Sequence, residues 1–174
     1  MDGKQNKKSF TARDIPFIAL FTAILFIQEE ILIFIPNVQL TIFFIVLYSK
    51  KLGFTKTSLI IFIYVLLDNM IMGSFNLFYV PTMLIGWLFI PIIICGFCKK
   101  IESSWILGII GALCAFIYSW IFIIPNYFVY RINPLAYFVS DIIFEIILAA
   151  CGFLTILVLY KPCSKLFDKI RIAL

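Results

Sequence analysis

Residues 134–160 read PLAYFVSDIIFEIILAACGFLTILVLY, with Asp141 and Glu145 as the only charges. A helix on a soluble core is apolar along one stripe, whereas this stretch is apolar on every side. About 20 such residues cross the hydrocarbon core of a bilayer, so the stretch reads as a membrane span. The chain around it has the same character. Of 174 residues, 64% are hydrophobic and 13% charged, against roughly 45–50% and about 25% in a soluble domain. A chain this short cannot bury that excess in a core of its own.

Five more apolar stretches precede the first. They run over 15–35, 38–49, 57–72, 77–98 and 105–124, with breaks at Pro36-Asn37, Lys50-Lys51, Gly73-Ser74, Lys99-Lys100 and Pro125-Asn126. The stretch at 15–35 is too long for a signal-peptide core and has no small-residue cleavage site after it, so it is expected to remain as a span. The stretch at 38–49 is the shortest, and needs snorkelling lysines or burial by its neighbours. The expected fold is an all-α membrane protein: a six-transmembrane-helix bundle over 15–160, flanked by basic tails at 1–14 and 161–174.

Charge sets the orientation. Six spans place Lys4, Lys7, Lys8, Arg13, Lys50, Lys51, Lys56, Lys99, Lys100, Lys161, Lys165, Lys169 and Arg171 on one side, and Arg131 alone on the other. Positive residues in short loops mark the inner face, so both termini are expected to be cytoplasmic. The net charge of +5 then reflects topology and anionic lipid, with no sign of nucleic-acid binding.

The same threading strands Glu29, Glu30, Asp68, Asp141 and Glu145 in the outer half of the membrane. Charges at that depth are costly and normally face a bundle interior, a partner or a water-filled cavity. Asp141 and Glu145 are four apart and share a helix face, where like charges repel. Arg131 is the basic residue available to them. The functional reading is an outward-facing pocket for a solute; the bland one is that Glu29, Glu30 and Asp68 lie at headgroup level and are solvated. Asn37, Gln39, Trp87 and Tyr127 fall at the same level. Aromatic faces with scattered amides suit a flat polar solute, although Trp and Tyr also collect in the interfacial belt. Five acids against Arg131 favour a cationic or neutral solute over a multiply anionic one.

Catalytic and cofactor signatures fail. The chain has no histidine, which removes most general-base and zinc chemistry. Gly53-Phe54-Thr55-Lys56-Thr57 lacks the spacing of a phosphate loop. Cys95-Gly96-Phe97-Cys98 stands alone, without a second pair. Glu29-Glu30 is followed by Phe34 where the intramembrane CAAX-type proteases carry Arg. No nucleophile-and-base constellation is present, and neither an enzyme nor a bound cofactor or metal is expected.

Ala19 and Ala23 make an Ala-xxx-Ala pair in the first span, and Gly108, Ala112, Ala115 and Ser119 make a small face on the fifth. Small residues four apart allow close helix approach in lipid. Together with Ile35-Pro36-Asn37-Val38-Gln39-Leu40-Thr41, Leu66-Leu67-Asp68-Asn69, residues 81–87, residues 141–147 and the ending Leu159-Tyr160-Lys161-Pro162, the chain resembles the substrate-binding S component of an energy-coupling factor (ECF) vitamin-uptake ABC transporter. The resemblance implies a six-helix protein of the bacterial cell membrane. It would capture a vitamin or related micronutrient from outside and dock on a transmembrane T component carried by two cytoplasmic ABC ATPases. It further implies docking through Ala19 and Ala23, and solute contacts from Asn37, Gln39, Trp87, Asp141 and Glu145, with Tyr127 and Arg131 behind them. The nickel and cobalt members depend on a histidine near the N-terminus, which is absent here. The alternative is a self-contained proton-coupled secondary carrier or channel in which Asp68, Asp141 and Glu145 relay protons.

Overall fold

The structure, a computed structural model, describes residue 12, residues 14–71 and residues 75–172, the side chains of 170–172 excepted. Lys4, Lys7, Lys8 and Arg13 of the basic tail, the Arg171 side chain and the turn at 73–74 lie outside the described residues. All regular structure among the described residues is helical: α1 (Asp14–Leu32), α2 (Thr41–Leu52), α3 (Phe54–Ile71), α4 (Tyr79–Gly96), α5 (Ser104–Ile121), α6 (Ile123–Phe128) and α7 (Pro134–Ile172). Five helical segments are long and apolar enough to cross a membrane: α1, α3, α4, the run Ser104–Phe128 and α7. Each long helix turns large apolar side chains outward, among them Ile31, Met70, Ile85, Leu113 and Ile143. Such surfaces fit a multi-pass membrane protein, because lipid is the solvent that tolerates them.

The short stretch is a helix of a different kind. At 12 residues, α2 measures about 18 Å against a hydrocarbon core of about 30 Å. It is stabilised by burial: Thr41, Ile42, Phe43 and every residue from Ile45 to Ser49 are buried. It packs against α1, α3, α4, α5 and α7, and so forms the axis of the bundle. Its far end turns directly into α3 through Gly53 alone, whose φ of 82° is open to glycine and strained for most other residues.

Side-chain contacts give the alternation of the helices. Lys56 at the start of α3 pairs with Asp14 at the start of α1. Lys50, at the end of α2, donates to the carbonyls of Cys98 (2.7 Å) and Lys99 (3.1 Å) just beyond α4. Lys51 pairs with Asp168 near the end of α7 at 2.7 Å. These contacts gather the lysines at one end of the bundle. At the other, Asn76 before α4 donates to the Tyr130 hydroxyl at 2.6 Å, and Tyr79 donates to Asn126 of α6 at 2.9 Å.

The small face of α5 packs inside the molecule. Gly108, Ala115 and Ser119 are buried together with Gly111, while Ala112 is half-buried, and α7 lies against Gly108 and Gly111 through Phe153 and Ile156. A Cβ added to Gly108 would stand 3.0 Å from the Phe153 ring and 3.3 Å from the Phe153 carbonyl. Gly108→Leu is therefore expected to destabilise the purified protein by about 1–3 kcal/mol through overpacking. Gly96→Ala, with nothing within 4 Å of the new Cβ, serves as control. Thermal unfolding in detergent checks this, and equal midpoints for the two variants would refute close α5–α7 packing.

Candidate functional site

The brevity of α2 has a consequence for the end that carries the acids. Between α1 (19 residues) and α2 (12 residues), the connection at 33–40 passes from exposed residues at 33–36 to half-buried ones at 37–40. Irregular backbone at membrane depth is tolerated where it is buried in protein or lines a water-filled cavity. The connection lines a cavity of about 180 Å³, formed by Glu29, Leu32, Ile33, Ile35, Pro36, Asn37, Val38 and Gln39. Asn37 takes φ 58°, a left-handed conformation that Asn adopts more readily than most residues.

One side chain holds this connection in place. Gln28 of α1 accepts a hydrogen bond from the Leu40 backbone N–H (2.8 Å) and donates to the Thr41 hydroxyl (2.8 Å) and the Leu25 carbonyl (2.9 Å). The Thr41 hydroxyl in turn donates to Oε1 of Gln39 at 2.9 Å. Gln28 thus serves the exposed N–H end of α2 in place of a local cap and fixes the amide of Gln39 at the cavity. A backbone link joins this region to α7, where the Cys151 thiol donates to the Gln39 carbonyl at 3.3 Å.

The five acids divide between two arms. On the α1/α3 arm, the Tyr64 hydroxyl donates to Glu29, and Asp68 and Glu30 lie within electrostatic reach of Glu29. One Glu30 oxygen is buried without a partner. On the α7 arm, Asp141 shares a hydrogen bond with Tyr137. Glu145 is 0% exposed; one oxygen accepts from the Trp120 indole N–H at 3.0 Å, and the other has no partner. Between the arms stands Tyr118. Its ring lies 3.8 Å from that of Trp87 and packs over Gly86, and its hydroxyl is in electrostatic reach of Glu29, Asp68 and Tyr137.

The seven proposed solute contacts occupy four settings. Asn37 and Gln39 line the cavity. Asp141 and Glu145 share the inner face of α7, outside that cavity's lining. Trp87 is 0% exposed and belongs to the core, stacked on Tyr118 with its N–H unpartnered. Tyr127 and Arg131 are exposed, and Arg131 forms no ion pair with any of the five acids among the described residues. Its left-handed backbone, φ 58°, sits in the α6–α7 connection. The expected neutralisation of Asp141 or Glu145 by Arg131 is thus not made.

Sequence reading passed over Gln28, Tyr64, Tyr118 and Trp120. Gln28 stands beside Glu29-Glu30 and registers only as an interruption of an apolar run, while Tyr64 lies four residues before Asp68 and shares its face. Nothing local marks Tyr118 or Trp120. The assembled end offers carboxylates, amides and aromatic faces without a lysine. It suits binding of a hydrogen-bond donor or cation, and it lacks a nucleophile with a base. No group of three or more His, Cys, Asp or Glu among the described residues could hold a metal ion.

On the opposite half of the molecule, Ala19 is exposed and Ala23 half-buried. With Ile15, Ile18 and Thr22 of α1 and Leu59, Ile63 and Leu67 of α3, they line an open groove of about 310 Å³ whose surface is almost wholly apolar. Comparison with family models, curated proteins and solved structures finds no match.

Gln28→Leu is expected to leave the half-buried Leu40 N–H without its partner, at a cost of about 1 kcal/mol. Hydrogen–deuterium exchange checks it: amides at 33–40 should exchange faster while α5 and α7 stay protected. Unchanged exchange at 33–40 would show that Gln28 does not hold the connection.

Proposed function

We propose that this chain is the substrate-binding S component of an energy-coupling factor transporter in a bacterial cell membrane. In this reading the chain crosses the membrane six times, α2 counting as the second crossing, with both termini cytoplasmic. The cavity end faces outward and takes up a vitamin or related small solute, and the Ala19/Ala23 groove receives a transmembrane T component. That subunit carries two cytoplasmic ABC ATPases, which supply the energy that this chain, lacking a nucleotide site, cannot.

The observation that carries the reading is the groove. Gly108 and Gly111 of α5 are covered by Phe153 and Ile156 of α7, whereas no helix among the described residues covers Ala19 and Ala23, which line an open groove. Close packing over small residues is what drives helix association in lipid, so an uncovered Ala-xxx-Ala face suits a partner helix. The opposite end supports the other half of the proposal: carboxylates held by Tyr64, Tyr137 and Trp120, with no lysine to neutralise them, leave donors on a solute as their counterpart. Solute capture and partner docking then occupy separate regions, as an uptake subunit requires.

A self-contained proton-coupled carrier draws on one observation, the wholly buried Glu145 with a free oxygen. Liposomes containing this chain alone distinguish the two: gradient-driven uptake indifferent to ATP belongs to the carrier.

The direct test is extraction of the tagged chain from its native membrane in mild detergent, with co-purifying proteins identified by mass spectrometry. Two ABC ATPases and a membrane subunit are expected. Ala19→Trp and Ala23→Trp should each abolish their recovery and transport, while the isolated chain keeps its thermal midpoint, because the groove is open. Full recovery and transport with both variants would overturn the docking assignment.

A further inference from the structure

The lysines at the basic end fall into two groups. Lys50, Lys51 and Lys56 are engaged with carbonyls, Asp168 and Asp14 respectively. Lys99, Lys100, Lys161, Lys165 and Lys169 are exposed and have no hydrogen-bond or ion-pair partner among the described residues. Asp14 and Asp168 are already taken, which leaves exposed Glu102 against five free lysines, a local formal charge of +4 (five minus one).

The course of α7 decides what this charge faces. The helix does not stop at Tyr160 but continues through Pro162 to Ile172. Its last part lies against the bundle. Phe167 stacks on Phe21 of α1 with ring centroids 5.0 Å apart, and Phe21 in turn packs on Tyr48 of α2 at 4.9 Å. Phe21 is seven residues into α1, about 10 Å in from the start of that helix. At that level α1 still turns Ile15 and Leu20 outward, both more than half exposed. The tail is therefore level with an apolar outer surface, which places it at the edge of the bilayer. A soluble partner would need lysines standing clear of that surface.

Lys161, Lys165 and Lys169 recur every four residues, so they fall within an arc of about 80° on one side of α7. Lys50 and Lys51 bring the Lys99-Lys100 turn and the α7 tail to the same end of α2. Phe97 and Trp105, 86% and 62% exposed, flank that turn and supply apolar anchors beside the ammonium groups. Lysine stems can lie along such apolar surface while the charged heads reach phosphate oxygens.

We infer that Lys161, Lys165 and Lys169, together with Lys99 and Lys100, form a binding face for anionic phospholipid headgroups at the inner surface of the membrane. The face is independent of what the opposite end binds. Its role is to anchor the α7 tail, and through Asp168 and Phe167 the ends of α2 and α1, against the bilayer.

The test uses the purified full chain in detergent, titrated with phosphatidylglycerol or phosphatidylcholine and read by native mass spectrometry and by thermal unfolding. Preferential retention of phosphatidylglycerol and a raised unfolding midpoint are expected, both weakening at high salt. The triple variant Lys161→Gln/Lys165→Gln/Lys169→Gln should lose up to about fivefold in phosphatidylglycerol affinity per lysine removed. The corresponding triple arginine variant should retain the preference, and equal midpoints of all three proteins in phosphatidylcholine would establish that they fold alike. Should the glutamine triple fail to fold, Lys165→Gln alone is read against Lys165→Arg. Equal retention of the two lipids by the wild-type chain would overturn the inference. So would a glutamine variant within about twofold of wild type for phosphatidylglycerol, or one that keeps the lipid preference while losing a co-purifying acidic protein.

Discussion

The packing of this bundle turns on a central helix, α2, that is shorter than the hydrocarbon core of a bilayer is thick. Lipid offers no hydrogen bonds, so every backbone group at membrane depth must find its partner inside the protein. A helix of 12 residues leaves its first N–H groups, and the half-buried end of the connection that leads to them, in need of partners from the neighbouring helices. Gln28 answers that need from α1, bonding the Leu40 N–H and the Thr41 hydroxyl at once. The surrounding helices answer the rest by burying almost the whole of α2. The cavity at residues 29–39 is the space this arrangement leaves open.

The two ends of the bundle solve the problem of charge differently. At the basic end, lysines cap helix ends and pair across elements, so Lys50, Lys51 and Lys56 act as fasteners between α2 and α4, α2 and α7, and α3 and α1. At the acidic end the described residues form no such pair. Glu29, Asp141 and Glu145 are held by the neutral donors Tyr64, Tyr137 and Trp120, which orient a carboxylate without cancelling its charge. An unpaired acid at membrane depth is expensive, and this asymmetry between the ends leaves the acidic end with carboxylates that no lysine of the described residues neutralises.

Small residues illustrate how the same sequence pattern acquires different meanings. Gly108 and Ala112 on α5, and Ala19 and Ala23 on α1, obey the same spacing rule for close helix approach. Packing separates them: Phe153 of α7 lies over Gly108, whereas among the described residues Ala19 and Ala23 line an open groove.

Composition and charge distribution alone determined the apolar solvent, the helical class, the cores of the long helices and the sorting of lysines from carboxylates, because these follow from apolar content and from counting charges along short connections. The expected break at Pro125-Asn126 is instead helical in α6, and α7 passes the expected end at 160 to reach Ile172. The sequence also marked 38–49 as a stretch needing cover from its neighbours, and length alone sufficed for that. Tertiary structure decided what lies beside what. Trp87 reads as an interfacial aromatic and is a core residue, since its burial depends on Tyr118 more than thirty positions away. Arg131 reads as the counter-ion of Asp141 and Glu145 but points its charge elsewhere, because the connection after α6 holds it at the surface. Gln28 carries no signal in a run of apolar residues, yet it governs the cavity, since hydrogen bonds over a separation of twelve and thirteen residues arise only when α2 folds back against α1. Periodicity and charge are local properties and survive in a sequence; hydrogen-bond partners and the covering of a helix face are properties of the packed bundle.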